Sequence, residues 1–247
     1  GTIFLTHAKR VVFMFEHLKT DFENEFRLEQ GSIRIGIPPI TDAPIFAQLL
    51  GEFKKVYPQI DLELYEQGSK KVEISVQEGL IDIGIICTKP NPKEFEAFYL
   101  TSDPLSVILP KTSPLAKEPE IHLEMLSEES FVLHKDDFNL HDEIIKAFKH
   151  TGFQPHIVFE TSQRDLMLQT VSADLAIALL PSRLCPEVGE NTEVGSKVVV
   201  RPLVPEIIHT LYVIWKKGHY LYHASRLWLD FVNSKLPLPG LQLEGHK

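Results

Sequence analysis

Between Ile33 and Cys87 the hydrophobic pattern switches repeatedly between strand and helix period, and few folds accommodate that. IRIGI (33–37) is a short apolar run suited to a buried strand, and PIFAQLLGEFKKVYP (44–58) carries apolar residues at helical spacing. The unit then repeats. DLELY (61–65) reads as a strand, SKKVEISVQEG (69–79) as a helix closed by Gly79, and IDIGIIC (81–87) as a strand buried on both faces. Two βαβ units in succession imply a parallel sheet with right-handed crossovers.

After a proline-rich stretch at 104–119 the theme returns. Strand FVLH (131–134), helix 140–151 ended by Gly152, strand HIVFE (156–160), helix 163–173 and strand LAIALL (175–180) form a second set. A loop at 187–196 leads to strands 198–201 and 209–215 and a last helix at 220–234, with Leu221, Ala224, Leu227, Trp228 and Phe231 on its apolar face. The expected fold is therefore α/β, with two Rossmann-like subdomains and a cleft between them. Residues 31–105 and 211–240 are expected to form subdomain I and residues 106–210 subdomain II. In such sheets ligands bind at the carboxyl ends of the strands.

Residues 1–30 contain no proline and, after Gly1, no glycine, which predicts a long N-terminal helix ahead of both subdomains. Phe4, Ala8, Val11, Phe15, Leu18 and Phe22 recur at alternating intervals of four and three, a heptad seam that needs a cover. A partner helix in a homodimer or homotetramer supplies one. Packing of the helix on its own domain is the alternative.

Composition narrows the function classes. The chain of 247 residues carries a net charge of −9, so it lacks the overall attraction to phosphate on which nucleic-acid binding rests. No apolar run reaches the length of about 18 residues that a spanning helix needs, and charged residues fill the first thirty positions, so neither membrane insertion nor a secretory signal is expected. Cys87 and Cys185 have no metal-ligand or CxxC spacing, and a reduced, cytoplasmic chain is the default. No GxGxxG or GxxxxGK[ST] stands at a strand-to-helix turn, and no pair among the eleven histidines has the i, i+4 spacing with a carboxylate that a zinc helix uses. No cofactor and no metal are expected. His134 follows a strand directly and faces the cleft, while the other histidines read as surface or loop residues. Cys87 ends an apolar strand without a visible histidine partner and reads as a small buried hydrophobe.

The turns at the strand ends hold the candidate chemistry. Thr41 or Asp42 precedes the first helix with Pro44 in its first turn, and Ser69 opens the second. Phe138-Asn139 precede helix 140–151, and Thr161-Ser162 precede helix 163–173, with Asp165 placed for a capping box. Helix N-termini expose unpaired N–H groups and a partial positive charge, so several aimed at one cleft make a site for a small organic anion. The bland alternative is that each of these side chains simply caps its own helix.

The string GSIRIGIPPITDAPIFAQLLGEFKKVYPQIDLELYEQGSKKVEISVQEGLIDIGII resembles the opening unit of a LysR-type effector-binding domain. Matching features are a glycine in the first strand, FxxxYPxI before the second, a Gly-Ser turn and GxxDIGI into the third. PLSVILPKTSPLA and VSADLAIALLPS resemble later segments of the family, and GTIFLTHAKRVVFMFEHL its dimerising linker helix. The resemblance covers roughly residues 1 to 235 and implies a two-lobed fold like that of periplasmic solute-binding proteins. It implies a small-molecule effector, a small carboxylate, bound in the cleft to modulate transcription. It also implies that DNA is contacted only through a winged helix-turn-helix domain that this sequence does not contain. Carried over residue by residue, the effector positions are Pro39, Ile40 and Thr41, Gly68 and Ser69, Cys87, His134, Phe138, Asn139 and Thr161. Asp174 and Ala176 stand where the family has glycine, which puts the shape of that turn in question. Pro38-Pro39 removes N–H donors ahead of the first helix and allows a less polar effector.

Two other classes remain to be weighed: a solute-binding receptor of a transport system and an α/β enzyme. The transport receptor has no use for a dimerising heptad helix. The enzyme lacks a nucleophile, base and cofactor motif placed within mutual reach.

Overall fold

The computed structural model describes residues 31–39, 43–187 and 192–236, together with Phe4, Ala8, Val11, Val12 and Phe15 near the N-terminus. Strand β1 (Gly31–Ile37) lies between β2 (Ile60–Glu66) and β3 (Ile83–Ile86), parallel to both, and helices α1 (Ala43–Val56) and α2 (Ser69–Gln77) make the crossovers. Glycine inside a strand usually weakens it, yet β1 and β3 each carry one. The cause is the close seat of α2: a Cβ on Gly36 would lie 2.9 Å from Val72 Cγ1, and one on Gly84 2.7 Å from the same atom.

A buried ion pair ties β1 to the turn before β3. The backbone N–H of Arg34 and its Nε both donate to Asp82 Oδ2, at 2.9 and 3.0 Å, and its terminal nitrogen donates to Asp82 Oδ1. The Asp82 N–H donates to the Arg34 carbonyl at 3.0 Å, so backbone and side chain close the same link.

The sequence pattern marks no strand before the proline-rich stretch, but a sixteen-residue strand, β4 (Phe95–Pro110), runs into it. Pro104 has no N–H for a ladder, and it is tolerated because β4 changes partners there. Up to Pro104 the strand pairs antiparallel with β10 (Ile208–Lys216), and from Leu105 to Pro110 it pairs with β8 (Ile177–Pro181) and β9 (Val198–Val204). A short β5 (Ile121–His122) runs beside β9. The second unit follows as expected: β6 (Ser130–Leu133), α3 (Asn139–Thr151), β7 (His156–Glu160), α4 (Arg164–Ser172) and β8, with β6 parallel to β7 and β8. The sheet order is β2-β1-β3-β10-β4-β8-β6-β7, with β9 against β4.

Gly79 and Gly152 end their helices with positive φ, as predicted. Asp174 has φ +62, so aspartate holds the left-handed turn that glycine was expected to be needed for, a conformation Asp tolerates better than most residues. The expected loop at 187–196 contains a short helix, α5 (Glu193–Lys197), whose start is capped by Thr192 Oγ1 accepting from Gly195 N at 2.9 Å; residues 188–191 lie outside the described set. The last helix, α6 (His223–Ser234), begins three residues later than its pattern suggests. Its Trp228 is buried edge-on against Phe53 of α1, ring centroids 4.9 Å apart, and joins the core beneath β1 and β3.

Phe4, Ala8, Val11 and Phe15 are helical, in line with the seam, whereas Leu18 and Phe22 lie outside the described residues. Phe4, Val11 and Phe15 are 78%, 66% and 75% exposed, so the domain itself leaves them uncovered. Among the described residues no helix is long and apolar enough to cross a membrane.

Candidate functional site

The N-termini of α2 and α3 meet. Gly68 is the N-cap of α2 and sits against the loop before α3, where a Cβ would lie 2.5 Å from the Asp137 carbonyl oxygen. That contact explains the glycine. Ser69 is not the cap of its own helix, contrary to expectation: its hydroxyl accepts a 3.1 Å bond from the N–H of Asn139, the first residue of α3. Asn139 in turn donates through Nδ2 to Thr88 Oγ1 at 3.1 Å. One of the four N–H groups that α3 leaves open is thus satisfied by a side chain from the other helix.

The other expected caps also need correction. Phe138 and Gln163 occupy the N-cap positions of α3 and α4, and neither helix has a side-chain cap bond. Thr161 stands two residues before the N-cap of α4 and accepts from Gln163 N at 3.1 Å. Asp165 pairs with its neighbour Arg164 at 3.1 Å in place of a capping box. Pro44 lies in the first turn of α1 as predicted, Pro39 is half-buried in the turn after β1, and Ile40, Thr41 and Asp42 lie outside the described residues.

Around this junction the charges are paired across the two elements. Lys70 reaches Asp142 at 2.7 Å and Lys71 reaches Asp137 at 3.0 Å. Lys70 Nζ also donates to the Asp136 carbonyl at 2.6 Å. At least one partner of each pair is well exposed, so each contributes about 1 kcal/mol or less, as does a neutral hydrogen bond such as Asn139 to Ser69. Cys87 lies behind Ser69, and burial pushes its thiol up to about 12, against a smaller downward pull from the Ser69 hydroxyl. It is an inert wall, as its sequence context suggests.

His134 directly follows β6 and is fully buried, its ring stacked on Phe138 with centroids 5.6 Å apart. His209 corrects the reading of the remaining histidines as surface or loop residues: it is 3% exposed, on β10. A signal was available, because His209 shares strand parity with the buried Leu211 and Val213. Burial lowers His134 to about 4, with His141 adding to the effect, and lowers His209 to about 3, with the nearby His134 adding to it. Both imidazoles are neutral at physiological pH. None of their four ring nitrogens, nor Thr101 Oγ1, has a hydrogen-bond partner among the described residues. A buried polar atom left so costs about 1–3 kcal/mol, which marks the cluster as unusual. Thr101 and His209 share a pocket of about 310 Å³, open space included, with Leu211 and Pro181. Its rim carries Asp103, which accepts from Arg183 N at 2.7 Å. His141 and His156 behave as expected near the surface, the first 3.1 Å from Glu160 Oε1 and the second 3.0 Å from Ser130 Oγ.

Gly68, Ser69, Cys87 and Asn139 are thus brought together, and His134 and Phe138 form a second group with His209. Comparison with known proteins decides what kind of domain holds this arrangement. The family model for the LysR substrate binding domain matches residues 26–237. The chain belongs to the LysR family. Over 219 residues the LysR domain is 38% identical to the uncharacterized HTH-type transcriptional regulator YwbI of Bacillus subtilis, covering 88% of this chain and 71% of that protein. It is 26% identical over 234 residues to the transcriptional dual regulator GltC of Bacillus subtilis, covering 94% and 76%.

Two solved structures share the fold. The effector binding domain of QuiR in complex with shikimate matches with a TM-score of 0.71 at 24% identity, over 82% of this chain and 95% of that one. The regulatory domain of CcmR from Synechocystis in complex with 2-PG matches with a TM-score of 0.75 at 20% identity, over 85% and 99%. The architecture of the LysR domain is therefore that of two α/β units of the periplasmic-binding-protein type. Its role is that of the effector-binding domain of a transcriptional regulator, and the transport-receptor alternative gives way to the family match.

Proposed function

We propose that the LysR domain senses a small organic acid in the cleft between residues 31–105 with 211–240 and residues 106–210. The bond from Asn139 N to Ser69 Oγ carries this reading. It brings two helix N-termini face to face, and both direct N–H groups and positive dipole ends at the same space. Pro39, Ile40, Thr41, Gly68, Ser69, Cys87, His134, Phe138, Asn139 and Thr161 are the proposed lining. QuiR and CcmR, which share the fold, carry shikimate and 2-PG.

The contacts that hold α2 against α3 amount to a few small terms, so a ligand with a modest difference in affinity between closed and open arrangements shifts the balance. That shift is the proposed signal to transcription. DNA contact belongs to the N-terminal domain of such regulators, and the whole acts in the cytoplasm. Titration calorimetry against mono- and dicarboxylates, with cationic and neutral compounds as controls, tests the ligand class. An acid at a hundred times its dissociation constant is expected to stabilise the domain by about 2.7 kcal/mol, raising Tm by roughly 5–10 °C. Binding of a cationic or neutral compound with no response to any acid would overturn the reading.

The exposed Phe4, Val11 and Phe15 support a second assignment, with another copy of this helix as the cover for the seam. Sedimentation velocity at micromolar concentration is expected to give a dimer or tetramer, reduced to monomer by Phe4→Asp with Phe15→Asp. A monomeric parent protein would refute it.

A further inference from the structure

The end of the sheet away from the cleft holds another pocket. Gly79 beyond α2, Asp82 before β3 and Lys216 at the end of β10 line it together with Tyr222 and Ser225 at the start of α6. The cleft lies at the carboxyl ends of β1 and β3. It is a helix length away, because α2 begins there at Ser69 and its nine residues span about 14 Å before Gly79.

Helix α6 starts without a cap. Tyr222 occupies the N-cap position with no side-chain bond, and the first turn holds no acidic residue. The N–H of Arg226 donates to the Tyr222 carbonyl at 3.1 Å and opens the helical ladder, so the N–H groups of His223, Ala224 and Ser225 have no partner inside the helix. Ser225, on the same turn, is 0% exposed, and its Oγ has no hydrogen-bond partner among the described residues. A hydroxyl buried in that state costs free energy that a bound acceptor recovers.

The charges around the pocket select the sign of the ligand. Lys216 forms no ion pair among the described residues, whereas its neighbour Lys217 donates to the Pro92 carbonyl at 2.9 Å and lies 4.0 Å from Glu96. Asp82 is the one carboxylate in the lining, and the three bonds it accepts from Arg34 balance its charge within that pair. Three backbone N–H groups, one hydroxyl and the three N–H bonds of an ammonium outnumber the roughly four lone-pair sites of a carboxylate. The three terminal oxygens of a phosphate group match them better. Tyr220 and Tyr222, ring centroids 5.8 Å apart, add aromatic surface at the same pocket.

We propose that the start of α6 is a phosphate site, in which the N–H groups of the first turn, Ser225 Oγ and Lys216 hold the anion. A phosphate group there ties α6 to β10 and to the turn before β3, and it is independent of what the cleft binds.

Titration calorimetry at pH 7.5 and fixed ionic strength tests it, with inorganic phosphate, glycerol 3-phosphate and adenosine 5′-monophosphate as probes and acetate and chloride as controls. Saturable binding of at least one phosphate probe is expected, with acetate weaker by about tenfold, the worth of one hydrogen bond to a charged group. Ser225→Ala is expected to weaken the phosphate probe by about tenfold as well, while the urea midpoint without phosphate stays level or rises because the orphan hydroxyl is gone. Lys216→Gln is expected to weaken it to a similar degree, and Lys217→Gln to leave it unchanged. Among the probes, tightest binding by inorganic phosphate assigns the site to the free anion, and tightest binding by adenosine 5′-monophosphate to a nucleotide whose base rests on the tyrosines. Heats that follow ionic strength alone overturn the inference. So does phosphate affinity that survives both Ser225→Ala and Lys216→Gln, and loss of binding in Ser69→Ala with none in Ser225→Ala, which moves the anion to the cleft.

Discussion

Replacing Asp82 by alanine is expected to lower the unfolding free energy by about 3–5 kcal/mol, read from urea denaturation at pH 7.5. The magnitude follows from burial. Arg34 and Asp82 side chains are both almost fully covered, and the aspartate accepts three bonds from Arg34, one of them from its backbone. Alanine strips a buried guanidinium of its carboxylate in the middle of β1, next to the strand pairing that organises the first unit. Because the loss comes from the stranded charge more than from the worth of the pair, Arg34→Met added to Asp82→Ala is expected to recover much of it. A loss below about 1 kcal/mol for Asp82→Ala would mean that the pair is solvated, contrary to its position here.

Acid is expected to destabilise the domain between pH 6.5 and 5. His134 and His209 have folded values of about 4 and 3, well below the 6.5 of the unfolded chain. In that window the unfolded state binds two protons that the folded state refuses, so stability is full above pH 6.5 and declines as pH falls toward the folded values. At about 1.36 kcal/mol per pH unit for each proton, the two together cost about 4 kcal/mol at pH 5. Glu143 works in the opposite direction: burial, with Asp142 beside it, raises its carboxyl, so protonation in acid relieves part of its cost. Urea denaturation at half-unit steps from pH 7.5 to 5 measures the slope, and His209→Phe is expected to halve it. A flat profile through this range would show that the two rings are hydrated in solution.

Much of the architecture was legible because the period of a hydrophobic pattern is a local property. IRIGI, IDIGIIC, HIVFE and LAIALL all became strands within a residue or two of their expected ends, and Gly79 and Gly152 terminated the helices they were expected to terminate. The main omission was β4. Its first half, FEAFYLTSD, carries charge and shows no clear strand period, and its second half begins inside the proline-rich stretch. Both features make sense only once β10 lies beside that first half and β8 and β9 beside the second.

The candidate site divides along the same line. Hydroxyl and amide side chains at helix starts were recognisable, and so was His134, because strand ends are where such folds place their chemistry. Their partners were not recognisable, since the Ser69 hydroxyl bonds a helix seventy residues away and His209 is buried on a strand near the end of the chain. By itself, then, the sequence determined most of the strands and helices, their order, and the family they belong to. Tertiary structure alone decided that two helix N-termini face one another and that His209 is buried where it feels His134. Strand order sets those neighbours, and strand order depends on pairing between distant segments that no local period encodes.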